Sequence, residues 1–146
     1  MNHIGLAGLS ALHYAALHNH SKTVELILLL FGSDCNLLTQ ADRRGIGEEQ
    51  RTPLPTPGSS PLMIAAENGF IDVARALVHG GCSTTKASPG MKVSPLVTAF
   101  LAAHFDVVKL LIESGANPNE TYIDTVTVSI SIVNSLPISI HLLSFF

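Results

Sequence analysis

Apolar residues recur at helical spacing in six short stretches, which fall into three consecutive pairs. Each pair opens with a serine-led stretch: SALHYAAL at 10–17, SPLMIAA at 60–66 and SPLVTAF at 94–100. Each pair closes with a stretch that ends at glycine: TVELILLLFG at 23–32, IDVARALVHGG at 71–81 and FDVVKLLIESG at 105–115. Apolar residues three or four positions apart form one face of an α-helix. The pattern therefore predicts three consecutive helix pairs and an all-α fold.

Residues suited to helix termini begin the first helix of each pair. Ser10, Ser60 and Ser94 can act as caps, because a serine hydroxyl accepts a hydrogen bond from an unpaired backbone amide. Pro61 and Pro95 follow two of these serines, and proline suits the first helical position because its missing N–H has no partner there. The sequence therefore predicts where these helices start.

The opposite ends of the helices favour left-handed turns. Gly69 follows the first helix of the second pair, and glycine adopts a positive φ without steric strain. Asn19 and Ala103 occupy the corresponding positions of the other pairs, where alanine is the poorer residue. The second helices end in the same way, at Gly32, Gly81 and Gly115.

The serine-led stretches share a motif that resembles the ankyrin repeat, whose signature opens with Thr-Pro-Leu-His-x-Ala. Two stretches keep the Pro-Leu and Ala positions, and the first keeps Leu-His and Ala with Ala11 in place of proline. Leu62 and Leu96 are 34 positions apart, close to the ankyrin period of about 33. The matching residues are Ser10, Leu12, His13 and Ala15, then Ser60, Pro61, Leu62, Ala65, Gly69 and Gly81, and finally Ser94, Pro95, Leu96, Ala99 and Gly115.

The resemblance covers about residues 5–120 and implies an ankyrin-repeat solenoid of stacked helix-turn-helix units with short finger loops. It places the copies at about 8–36, 58–85 and 92–119, inside a domain at 1–122. We expect the leucines of the motif to point into the stack and the small alanines to let neighbouring helices approach closely.

A clustered set of histidines, His13, His18 and His20, raises the question of a metal site. His13 and His18 are five positions apart, whereas helical residues share a face at a spacing of three or four. Zinc also requires further convergent ligands, so we predict no metal. The resemblance implies that His13 bonds to the backbone near a turn, and that His20 and His104 begin the second helix of their copies.

An irregular segment at about 36–58 separates the first two copies and contains three alternate prolines. Such a segment is either a tolerated surface insertion, because loops absorb length at small free-energy cost, or a recognition or regulatory element. Thr52 and Thr56 each precede a proline and are therefore candidate sites for proline-directed kinases. A phosphate there would add roughly −1.5 to −2 charges.

The C-terminal segment at 123–146 departs from the repeat pattern. Apolar residues alternate with serine and threonine over 126–132, which is the periodicity of a strand. Three hypotheses remain open: a poorly ordered or non-native terminus, a divergent capping helix pair, and a membrane tail anchor.

Composition narrows the class of partner. The net charge is −3 and the pI near 6.1, which disfavours nucleic acid because no basic stripe is available to neutralise phosphates. Cys35 and Cys82 look like isolated thiols, and the N-terminus lacks the basic start of a signal peptide. We therefore predict a monomer inside the cell, cytoplasmic or nuclear, with reduced cysteines.

No catalytic or phosphate-binding motif occurs in the sequence, so we predict neither an enzyme nor a cofactor. The resemblance implies a module that binds another protein on a concave surface, with contacts before each capping serine and beyond each alanine pair. These residues are Leu9, Leu17, His18, Ser59, Glu67, Asn68, Val93, Leu101 and Ala102. The alternative is a truncated or tail-anchored variant whose C-terminal segment associates with a membrane or a partner.

Overall fold

The computed structural model of the protein describes residues 8–40, 55–85 and 93–118, and two short strands at 121–123 and 129–131. Its helices come in three pairs, and the strands follow them. The elements in chain order are α1 (Ala11–Leu17), α2 (Ser21–Phe31), α3 (Pro61–Asn68), α4 (Ile71–His79), α5 (Pro95–Leu101), α6 (Phe105–Glu113), β1 (Thr121–Ile123) and β2 (Ser129–Ser131).

The helices form two packed layers. The first helices of the pairs, α1, α3 and α5, pack against one another in that order, and the second helices α2, α4 and α6 form the other layer. Each first helix also packs on the second helix of its own pair. This arrangement is a solenoid of stacked helix pairs, and the predicted fold class is confirmed.

The core lies between the two layers. Leu62 and Leu96 of the motif are fully buried, and Leu12 is 2 % exposed. Ala65 and Ala99 are also fully buried, at positions where the first helices pack side by side. A buried leucine removes apolar surface from water, and the alanines keep the helices close enough for the leucines to meet the next copy.

Serine caps hold the starts of α3 and α5. The Ser60 Oγ accepts a hydrogen bond from the Met63 amide at 3.2 Å, and the Ser94 Oγ accepts one from the Val97 amide at 3.3 Å. Ser10 differs, because its Oγ lies 2.7 Å from the His13 Nδ1. The same sequence position therefore caps α3 and α5, and in the first copy it forms a capping box with His13 and anchors the buried ring.

Left-handed residues end the first helix of every copy. Asn19, Gly69 and Ala103 have φ values of 59°, 70° and 60°. At Ala103, the amide bonds to the Phe100 carbonyl and the next amide, His104, bonds to the Ala99 carbonyl. These two bonds close the helix end in a Schellman motif, which requires the positive φ.

We expect Ala103→Gly to raise the free energy of unfolding by about 0.5–1 kcal/mol. A left-handed conformation costs an L-residue roughly 1–2 kcal/mol, and glycine relieves this strain. Glycine also gives the unfolded chain more conformational entropy, which destabilises the fold by the smaller amount of roughly 0.4–1 kcal/mol. Urea unfolding followed by circular dichroism measures the change. Gly69→Ala is the opposite test and should destabilise the chain, because its Cβ would lie 2.5 Å from the His104 Nδ1. A loss of stability in Ala103→Gly would contradict the argument.

The two cysteines are joined in a disulfide, so the prediction of isolated thiols is wrong. Cys35 follows α2 and Cys82 follows α4, and their Cα atoms are 5.4 Å apart. The solenoid places the loops of consecutive copies side by side, and the Ser83 amide donates to the Asn36 Oδ1 at 2.8 Å beside the bond. Because the cysteines are paired, they no longer indicate a protein of a reducing compartment.

The two ends of the segment predicted as an irregular insertion lie next to each other and are hydrogen-bonded together. The Thr39 Oγ1 donates to the Thr56 carbonyl at 2.9 Å, and the Gly58 amide donates to the Thr39 carbonyl at 2.8 Å. The Ser59 carbonyl in turn accepts from the Thr39 amide at 2.9 Å. The two ends therefore form a closed stem, and residues 41–54, including Thr52, lie outside the described residues.

The C-terminal segment contributes a small antiparallel pair. Tyr122 of β1 lies opposite Ile130 of β2. β2 falls within the alternating stretch that predicted a strand. The remainder of 123–146 lies outside the described residues, and the three hypotheses for it stay predictions. In the part of the chain that the structure describes, no helix has the length and apolar character needed to cross a membrane.

Candidate partner-binding groove

A groove of about 340 Å³ lies between the second and third copies. Two connecting segments and two first helices form its walls. The segments contribute Thr56, Ser59 and Val93, and the helices α3 and α5 with the turn after α5 contribute Met63, Glu67, Thr98, Leu101 and Ala102. The groove therefore opens on the first-helix layer, which is the layer that sequence analysis assigned to partner contacts.

Five predicted contact residues come together here: Ser59, Glu67, Val93, Leu101 and Ala102. Met63 and Thr98 also line the groove although they were not predicted as contact residues, and Thr56 was predicted only as a modification site. Helical spacing could have found the first two. Met63 lies four positions before Glu67 and Thr98 four before Ala102, and residues four apart share a helix face.

The groove is mainly apolar. Met63, Val93, Leu101 and Ala102 supply its apolar wall, and the Leu101 side chain is 57 % exposed. An exposed leucine beside a concave surface keeps apolar area in contact with water, and covering that area is favourable by roughly 25 cal/mol per Å². The geometry therefore favours burial of an apolar group.

The hydroxyl groups of the groove are already paired within the chain. The Thr56 Oγ1 lies 2.8 Å from the Ser59 Oγ, and the Thr98 Oγ1 donates to the Ser94 carbonyl at 2.9 Å. Glu67 is exposed, and among the described residues it has no hydrogen-bond or ion-pair partner. The carboxylate of Glu67 is thus a charged group at the groove that remains open to an incoming ligand.

The predicted contact residues of the first copy do not join the groove. Leu9 is only 2 % exposed and offers no surface to a partner, so its assignment as a contact residue is corrected. The Gly8 carbonyl accepts from the Gln40 amide at 3.0 Å, which brings the start of the insertion alongside Leu9. Leu17 is half-buried against the core, while His18 is exposed.

Asn68 also lies outside the groove. Its side chain is exposed, and its Nδ2 donates to the Ile64 carbonyl at 2.8 Å. This bond uses the amide group within α3. Ser59 lines the groove but is 3 % exposed, and its backbone is bonded to Thr39. Within the groove, the accessible part of the predicted surface is therefore centred on Glu67, Val93 and Leu101.

The ring of His13 is fully buried and links two copies. Its Nδ1 accepts a hydrogen bond from the Ser10 amide at 3.1 Å, and its Nε2 lies 3.2 Å from the Ser59 carbonyl. Because a backbone amide can only donate, Nδ1 carries no proton and Nε2–H donates to Ser59. Burial lowers the pKa of His13 below its usual 6.5, against the smaller opposing effect of the Ser59 and Leu37 carbonyls. The resemblance implied this backbone bond.

The other histidines of the first copy have separate surroundings. The rings of His18 and His20 are 6.3 Å apart, and His20 precedes α2 as His104 precedes α6. Within the described ranges, no three His, Cys, Asp or Glu side chains are grouped closely enough to hold a metal ion.

Comparison with known proteins agrees with this architecture. The family model for three copies of the ankyrin repeat matches residues 12–122. The chain belongs to the ankyrin repeat family. The three matched copies correspond to the three helix pairs, and the ankyrin groove lies between the second and third of them. Ankyrin repeats are generally protein–protein interaction modules.

One relative of this ankyrin chain is a much larger protein. It is an ankyrin repeat and KH domain-containing protein of Caenorhabditis briggsae, 37 % identical over 65 residues. The matched part is 44 % of this chain and 2 % of that protein. The chain therefore spans a small fraction of the length of this curated relative.

Proposed function

We propose that the chain binds a segment of another protein in the groove between its second and third ankyrin copies. The observation that carries the proposal is the juxtaposition at one apolar groove of exposed Leu101 and exposed Glu67, whose carboxylate has no partner among the described residues. Interfaces obtain most of their binding energy from a few apolar anchors seated in pockets. The function proposed is binding by a monomer, without catalysis or a cofactor, and with neither nucleic acid nor a membrane as partner.

Modification of Thr56 is a separate part of the proposal. Thr56 is exposed, lines the groove and precedes Pro57. A phosphate on its hydroxyl would replace the pairing with Ser59 and place negative charge at the groove. Incubation of the chain with a proline-directed kinase, followed by mass spectrometry, tests whether Thr56 accepts phosphate.

We expect Leu101→Asp to weaken binding of groove-selected peptides by about tenfold or more, the loss of an apolar anchor. Peptides are first selected from a random displayed library against the full chain, and their dissociation constants are then measured by isothermal titration calorimetry. Leu29→Asp is the matched control, because Leu29 is 81 % exposed on α2 and lies outside the groove. Equal losses in both variants, or no loss in L101D, would contradict the proposed site.

A further inference from the structure

Glu67 has a distinctive position on the first-helix layer. The sequences of α1, α3 and α5, which the structure describes completely, contain no Asp, Lys or Arg, and Glu67 is their one acidic residue. His13, also on this layer, is fully buried, and burial lowers its pKa and so favours the neutral ring. The side chains of these three helices therefore contribute a single negative charge at the groove, on Glu67.

The size of the groove limits what it accepts. Its volume of about 340 Å³ is at the lower end of the roughly 300–1,000 Å³ typical of ligand pockets. An α-helix with its side chains is about 10–12 Å in diameter, so this groove does not enclose one. A single bulky side chain on an extended segment fits, because the residues before and after it in the segment can lie along the open groove.

The polar groups select the chemistry of that segment. The Thr98 hydroxyl donates its proton to the Ser94 carbonyl and the Thr56 hydroxyl is hydrogen-bonded to Ser59, so Thr98 offers an incoming group only acceptor lone pairs, which suit a donor such as a cation. The Glu67 carboxylate lacks such a partner in the described part of the chain. An incoming cation would pair with it at the edge of an apolar surface, where water screens the pair less than on an open surface.

We infer that the groove recognises an extended protein segment in which a bulky apolar side chain lies next to a lysine or arginine. The apolar side chain packs against Met63, Val93 and Leu101, and the cation pairs with Glu67. This inference rests on the proposed function and adds the chemistry of the partner to it.

The test compares peptides selected from one random displayed library against three full-length chains: wild type, Glu67→Gln and Glu67→Lys. Wild type is expected to enrich a bulky apolar residue beside Lys or Arg. Replacing that basic residue by Glu in a synthetic peptide should weaken wild-type binding by about threefold or more, the range of an exposed ion pair. Glu67→Gln should lose this discrimination, and Glu67→Lys should reverse it.

Glu25→Lys is the matched control, since it makes the same charge change on an exposed residue of α2 outside the groove. It should retain the wild-type preference. If Leu101→Asp abolishes binding but the Glu67 variants keep the basic preference, or wild type has none, the inference fails and the proposed function stands. If neither Leu101 nor Glu67 affects binding, or if wild type enriches no peptide, both are overturned. Circular dichroism melts confirm that each variant is folded.

Discussion

Reducing the Cys35–Cys82 disulfide is expected to lower the free energy of unfolding by about 4 kcal/mol. The bond joins residues separated by 47 positions, and closing a loop of that length restricts the unfolded chain by about this amount. Domains of this kind are typically stable by about 5–15 kcal/mol, so the loss is a large fraction of the total. An array of three copies is also close to the lower limit for stable repeats.

Guanidinium unfolding of the oxidised and reduced chain, followed by circular dichroism, measures this loss. Cys35→Ala combined with Cys82→Ala is the control, and it should unfold like the reduced wild type whether or not reductant is present. Alanine suits the site because Ala116 occupies the position of Cys82 in the third copy. The Cys82 amide bonds to the Leu77 carbonyl as the Ala116 amide bonds to Leu111. An oxidised wild type no more stable than this control would contradict the prediction.

Local features of the fold were predictable because each depends on a few neighbouring residues. Ser60 and Ser94 bond to amides three positions ahead, and such a bond is encoded within one turn of helix. Ala103 adopts a positive φ although alanine disfavours it, because its position in the repeat, and not its own preference, sets the conformation. Five of the residues predicted as partner contacts line one groove, because position in the repeat determines which face a residue occupies.

Features that depend on distant parts of the chain were not predictable. The extra residues between the first two copies enlarge the sequence separation of Cys35 and Cys82 beyond one repeat, which conceals that their loops are neighbours. Leu9 was assigned to the surface by analogy with Val93, but the segment around Gln40 passes beside it. The insertion therefore accounts for both errors, because repeat analogy does not describe residues outside the repeat.

His13→Ala is expected to destabilise the chain by about 3 kcal/mol. The substitution removes a fully buried ring and leaves the Ser10 amide without its partner, while the Ser59 carbonyl keeps only its bond from the Thr39 amide. Each buried polar group that loses its hydrogen bond costs roughly 1–3 kcal/mol, and the cavity adds to this. His13→Met fills the space with the residue that the second copy has at this position, so it should recover part of the lost stability. Equal stability of His13→Ala and wild type, measured by urea unfolding, would contradict the argument.

The same buried ring makes stability depend on pH. The pKa of His13 is lowered by burial, so below about 6.5 the unfolded chain binds a proton that the folded chain does not. Protonation of Nδ1 would also break the bond from the Ser10 amide. The neutral His13 ring therefore contributes its full stabilisation above pH 6.5. As the pH drops toward the pKa of the folded chain, the free energy of unfolding falls by up to about 1.4 kcal/mol per pH unit.

Unfolding free energies of wild type and His13→Met, measured from pH 7.5 down to pH 5, isolate this contribution. The two chains differ only at position 13, so the difference between the two curves belongs to His13. The advantage of wild type over the variant should shrink as the pH falls below 6.5, because only wild type must keep an uncharged ring in the core. If the difference in unfolding free energy stays constant or widens with acidification, the folded chain takes up the proton at position 13 at least as readily as the unfolded chain. The buried bond between the first two copies would then not require a neutral ring.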